Sequence, residues 1–149
     1  MTLSIILHIG SEKTGTSTIQ EFLIKNKKNL ASSGFQYLHM PGRVEYRDLP
    51  AFCMDSDLSD NYFKRKLIDT PAKRLEFNQA FLAEFHSAIS EVPLGSHTLV
   101  ISSEHLWSRL QSENEISRLK KLLSRYSADV IIICYLREQS GKIVSNYST

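Results

Sequence analysis

The run Ile9-Gly10-Ser11-Glu12-Lys13-Thr14-Gly15-Thr16-Ser17-Thr18, near the start of the chain, concentrates residue types that hold anions. Gly10 and Gly15 have no Cβ, so the backbone at those points can come close to a ligand. Lys13 supplies a full positive charge, and Thr14, Thr16, Ser17 and Thr18 supply hydroxyl donors. The chemistry on offer is the grip of a phosphate- or sulfate-like group. The simpler account is a turn followed by a Ser/Thr-capped helix, which needs one hydroxyl and no lysine.

Elements on either side must position this loop. Leu3 to Ile9 is an apolar run that reads as a buried strand. Thr16 to Leu30 reads as a helix whose apolar positions are Ile19, Phe22, Leu23 and Leu30; Lys25, Lys27 and Lys28 fall on its solvated side. A strand, a glycine-bearing loop and a helix together point free N–H groups and the positive end of the helix dipole into the loop. The spacing is not that of a nucleoside-triphosphate P-loop, in which lysine directly follows the second glycine. Here Lys13 comes two residues before Gly15.

A second set of residues lies near the other end. Asp129 to Leu136 is a nearly continuous apolar run, as expected of a central parallel strand buried on both faces. It delivers Arg137 to its carboxyl end. The stretch Glu138 to Thr149 then reads as a helix with Ile143 and Val144 inward and Ser145 eight residues after the arginine. An arginine fork suits the oxygens of a terminal phosphate, and a helical serine can add a hydroxyl donor.

Lys13-Thr14-Gly15-Thr16-Ser17 resembles the 5′-phosphosulfate loop of sulfotransferases that use 3′-phosphoadenosine-5′-phosphosulfate (PAPS). Tyr135-Leu136-Arg137, with Ser145-Asn146-Tyr147 following, is similar to the element by which those enzymes hold the nucleotide's 3′-phosphate. The resemblance is strong in these two segments and weak between them. It implies a three-layer, P-loop-like α/β fold and PAPS as co-substrate with no metal. It also implies transfer of a sulfuryl group to a hydroxyl or amine, on a small-molecule or carbohydrate acceptor, with release of 3′-phosphoadenosine-5′-phosphate (PAP). Gly10, Lys13, Thr14, Gly15, Thr16, Ser17 and Thr18 would hold the 5′ end, and Arg137 and Ser145 the 3′-phosphate. Lys13 would also act in catalysis. Glu104 is the first choice for the base, with His105 and Glu45 as rivals. Members of the family usually continue past the 3′-phosphate element into a basic Gly-rich loop and adenine-packing residues, so this chain is expected to lack the usual C-terminal part. Two other classes stay open: a small-molecule kinase or nucleoside triphosphatase, which would need Mg²⁺, and a non-catalytic nucleotide-binding domain.

Length and composition set bounds. A chain of 149 residues is expected to form one domain and to bury about 68–70% of its unfolded surface. At 42% hydrophobic and 23% charged residues it has ordinary globular composition. A net charge of +2 gives no footprint for general nucleic-acid binding. Cys53 and Cys134 lack metal-ligand spacing; Cys134, in an expected buried strand, reads as a reduced core thiol. No signal-peptide pattern opens the chain and no apolar run reaches membrane-spanning length, so a cytoplasmic location is expected.

Between the two site segments the pattern alternates. Phe35-Gln36-Tyr37-Leu38 reads as a short strand, and Pro41 to Pro71 as a long connection hiding a short helix around Asn61–Ile68. Thr70 caps a helix that begins at Pro71 and carries the apolar stripe Phe77, Phe81, Phe85 and Ala88. Thr98 to Ser102 is a strand that leads to Glu104 and His105. Ser112 and Glu115 form a capping box before a helix whose buried face is Ile116, Leu119, Leu123 and Tyr126. Alternation of this kind predicts an α/β sheet with helices on both faces. His8, His39, His86 and His97 have no constellation around them; His8 reads as a satisfied strand histidine.

Overall fold

Four short segments rich in β-branched and aromatic residues pair into one sheet, in the order β2-β3-β1-β4, with every pairing parallel. The computed structural model describes residues 3–11, 14–38, 46–55, 60–136 and 138. Strand β1 (Ser4–His8) lies between β3 (Thr98–Ser102) and β4 (Asp129–Ile133), and β2 (Phe35–Tyr37) pairs with β3. The register sets His8 opposite Ser102 on one side and Ile133 on the other. Parallel neighbours need crossover connections. These contain α1 (Thr16–Lys25) and α2 (Lys27–Ser32) after β1, and α3 (Asp48–Cys53), α4 (Asn61–Arg65) and α5 (Pro71–Ser90) after β2. After β3 come α6 (His105–Arg109) and α7 (Glu113–Leu123).

The period-two alternation of a strand divides the apolar residues between two faces. Ile5, Leu7, Leu99 and Ile101 pack in one cluster with Leu49 of α3, Phe81 and Phe85 of α5, and Leu119, Leu122 and Leu123 of α7. Ile6 and Val100 face the other way, against Ile19 and Leu23 of α1 and Leu30 of α2. Helices therefore cover both faces. The aromatic stripe of α5 supplies much of the larger core: Phe77, Phe81 and Phe85 follow one another with ring centroids 6.4 and 5.5 Å apart. Each fully buried phenylalanine contributes roughly 2–3 kcal/mol of transfer free energy. Thr70 accepts a hydrogen bond from the N–H of Lys73 at 3.3 Å and Pro71 stands in the first turn, as the sequence predicts.

Several expectations need correction. The helix expected over Thr16–Leu30 is interrupted at Asn26, whose side-chain amide and backbone N–H both donate to the carbonyl of Phe22 at 2.9 Å. The inner face of α1 is Thr16, Gln20 and Leu23, so Phe22 is 58% exposed. On α7, Leu122 is buried and Ile116 is exposed. The largest departure is β4. It is an edge strand among the described residues, not a strand covered on both faces, and Ile132 is 61% exposed. Cys134 follows it half-buried, whereas Cys53 is the core thiol, and burial pushes that thiol up to about 12.

Candidate anion site

In an open parallel sheet, ligands sit beyond the carboxyl ends of the strands, where successive connections leave on opposite faces. The chain leaves β1 toward the face covered by α1, and leaves β3 toward the face covered by α7. The crevice so defined lies past His8 on β1 and Ser102 on β3. The glycine-bearing loop issues from this point.

The described part of the loop is folded tightly. Gly10 is buried. A Cβ placed on it would lie 2.9 Å from Thr16 Oγ1, 3.2 Å from His8 Nε2 and 3.3 Å from Thr14 Oγ1. Three polar atoms thus converge on a spot that no larger residue could share. Thr14 Oγ1 donates to the Ser11 carbonyl at 2.6 Å, closing the loop, which leaves the Thr16 hydroxyl as donor in the 3.4 Å contact between the two threonines. Gly15 has space around it but a φ of 84°, a left-handed conformation that favours glycine.

Helix α1 begins at this glycine. No side chain among the described residues caps it, and its first turn holds no acidic residue. The first-turn N–H groups and the positive end of the dipole therefore open toward the loop. Thr16 is buried beneath it, while Ser17 and Thr18 are exposed on the first turn. Gly10, Thr14, Gly15, Thr16, Ser17 and Thr18 all belong to this loop and the first turn of α1. Lys13, Arg137, Ser145 and Glu45 lie outside the described residues.

Glu104 and His105 stand just past the end of β3. Glu104 is half-buried at the N-cap of α6 and its carboxylate does not cap that helix. His105 is buried and turned into the protein. Of the two, Glu104 is the more exposed.

The sequence reading missed three residues beneath the loop. His8 Nδ1 lies 2.8 Å from Ser102 Oγ, and Gln20 Nε2 lies 3.4 Å from the same hydroxyl. His8 Nε2 is buried without a hydrogen-bond partner, so this histidine is only half satisfied. Burial also lowers its pKa below the usual 6.5. The available signal was positional: Gln20 is four residues after Thr16 and shares its helix face.

A second polar region is a cavity of about 380 Å³ lined by residues including Asp55, Asp60, Arg109 and Glu115. Its charges are already engaged. Asp60 pairs with Arg109 at 3.1 Å and Arg47 at 3.5 Å, Asp55 pairs with Arg118, and Glu115 accepts backbone N–H groups. Among the described residues no three His, Cys, Asp or Glu side chains converge to hold a metal ion, and no helix is long and apolar enough to cross a membrane. No protein-family model matches the chain, and no curated protein matches it in sequence.

Proposed function

We propose that the chain is a sulfotransferase-type protein that grips the 5′-phosphosulfate of PAPS in the loop after β1 and passes the sulfuryl group to a hydroxyl or amine. The carrying observation is the uncapped start of α1, where Gly15 is left-handed and Gly10 is crowded by polar atoms at the carboxyl edge of a parallel sheet. That geometry supports an anion site. The identity of the anion is inferred from Lys13-Thr14-Gly15-Thr16-Ser17 and from the spacing of Arg137 and Ser145.

In the transfer, the acceptor atom bonds to sulfur as the bond from sulfur to the 5′-phosphate oxygen breaks, and the acceptor's proton goes to a base. Glu104 is assigned that role, with His105 and Glu45 as the alternatives to be separated by mutation. Negative charge grows on the departing phosphate oxygen. Lys13, the loop N–H groups and the α1 dipole stabilise it there, and positioning supplies much of the remaining acceleration. The acceptor class is a small molecule or carbohydrate.

Calorimetric titration with PAP and with ATP, each in EDTA, tests the reading. PAP is expected to bind at least tenfold more tightly than ATP and without metal. Arg137→Ala should weaken PAP binding, and Lys13→Ala should chiefly lower turnover. Mg²⁺-dependent binding of ATP in preference to PAP would instead assign a nucleoside-triphosphate enzyme. PAP binding without transfer to any acceptor would leave a nucleotide-binding domain.

A further inference from the structure

Beneath the loop, three buried side chains from three elements form one hydrogen-bonded line: Gln20 on α1, Ser102 on β3 and His8 on β1. Gln20 Nε2 is a donor only, so it donates to Ser102 Oγ at 3.4 Å. The Ser102 hydroxyl proton then needs an acceptor, because the residue is 1% exposed and an unmet buried donor is costly. Among the described residues its partner is His8 Nδ1, at 2.8 Å. A neutral imidazole that accepts at Nδ1 carries its proton on Nε2.

That proton has nowhere to go within the described protein. His8 is 4% exposed and its Nε2 has no hydrogen-bond partner. The atom is aimed at the loop: it lies 3.2 Å from the point where a Cβ on Gly10 would stand, the point also approached by the hydroxyls of Thr14 and Thr16. The ring of Tyr135 packs against the imidazole in a T-shaped arrangement, with centroids 5.4 Å apart and planes at 76°, which restrains its rotation. A buried donor that lacks a partner and lies beside a glycine, where no side chain intervenes, is suited to an oxygen that arrives with a ligand.

We propose that His8 Nε2–H is a further anion-binding donor of the loop, a neutral one, with Ser102 and Gln20 as the positioning residues that fix its tautomer. The inference rests on the reading of the loop as an anion site. It adds a contact from below the loop, where the backbone N–H groups and Lys13 would act from the loop itself. The ligand chemistry is a phosphate or sulfate oxygen seated beside Gly10.

The test is a histidine side-chain ¹⁵N spectrum of the whole chain, recorded free, with PAP and with inorganic phosphate. The Nε2-protonated form of His8 is expected in the free protein, and its Nε2–H resonance should move on addition of PAP. His8→Asn, which can still meet Ser102 but cannot reach the cradle, should weaken PAP binding about tenfold. His8→Gln, whose amide reaches the Nε2 position, should recover most of that loss. An Nδ1-protonated ring, or an Nε2–H signal unmoved while wild type binds PAP, would overturn the assignment even if the variants fail to fold. Equal affinity of His8→Asn and wild type would do the same and leave the anion site standing. Failure of the wild-type chain to bind either anion would remove the site, and this donor with it.

Discussion

Two helix starts in this molecule meet the same physical problem in opposite ways. At α7 the start is held by a reciprocal capping box and by further backbone donors from outside the helix. Ser112 Oγ accepts from the N–H of Glu115 at 3.2 Å, and the Glu115 carboxylate accepts from Ser112 N at 3.1 Å, Gln111 N at 2.7 Å and Asp55 N at 2.8 Å. The end of α3 is tied into the same junction. Arg118 Nε donates to the Cys53 carbonyl at 2.7 Å, and Arg74 donates to the carbonyls of Ala51 and Met54 while lying 4.0 Å from the centroid of the Phe63 ring. At α1 the cap is a left-handed glycine, no described side chain reaches the first turn, and a histidine nitrogen is buried unpaired below. A satisfied start fixes the fold. The open start of α1 shares its missing side-chain cap with α2, α3 and α6, and is proposed as a binding element because Gly10, the hydroxyls of Thr14 and Thr16 and the buried His8 nitrogen gather beside it.

The contrast can be broken from either side. Glu115→Ala should have the largest effect on stability, about 3 kcal/mol in denaturant unfolding, because it strands several backbone donors at once. Its affinity for PAP should equal that of wild type; a matched loss of affinity would mean that the two helix starts are coupled. Gly10→Ala should cost about 2 kcal/mol through overpacking and abolish PAP binding in calorimetry, since its Cβ would lie 2.9 Å from Thr16 Oγ1. Gly15→Ala should cost about 1 kcal/mol, all of it backbone, because the space around that position is empty. Gly15→Asn should cost less, as asparagine tolerates the left-handed region better.

The smallest effect is one of pH. Burial holds the folded-state pKa of His8 below 6.5, so the unfolded chain takes up the proton first. Stability should therefore be unaffected above about pH 6.5 and fall as pH drops from there toward the folded value. His8→Gln should remove that part of the slope in a pH series of unfolding midpoints.

Local signals in the sequence located much of the structure. Thr70-Pro71 and the Ser112/Glu115 box marked the starts of α5 and α7, because capping is decided within one turn. The run Thr98–Ser102 was legible from its residues alone. The short helix α4 lay where a polar cluster met Tyr62 and Phe63. Placement within the sheet was not legible in this way. An apolar run such as Val130-Ile131-Ile132-Ile133 identifies a strand but not its neighbours, and β4 is an edge among the described residues. In the site, Gly10, Gly15 and the hydroxyls announced themselves by type. His8 did not, because its function depends on Ser102, 94 residues away, leaving one ring nitrogen unpaired.

Backbone amide ¹⁵N–¹H spectra during a PAP titration test the central claim most directly. The N–H groups of Gly15, Thr16, Ser17 and Thr18 should shift as PAP is added, while those of Glu113, Asn114 and Glu115 stay in place. Shifts confined to the α7 start, or absent from the α1 start in a chain that binds PAP, would contradict it.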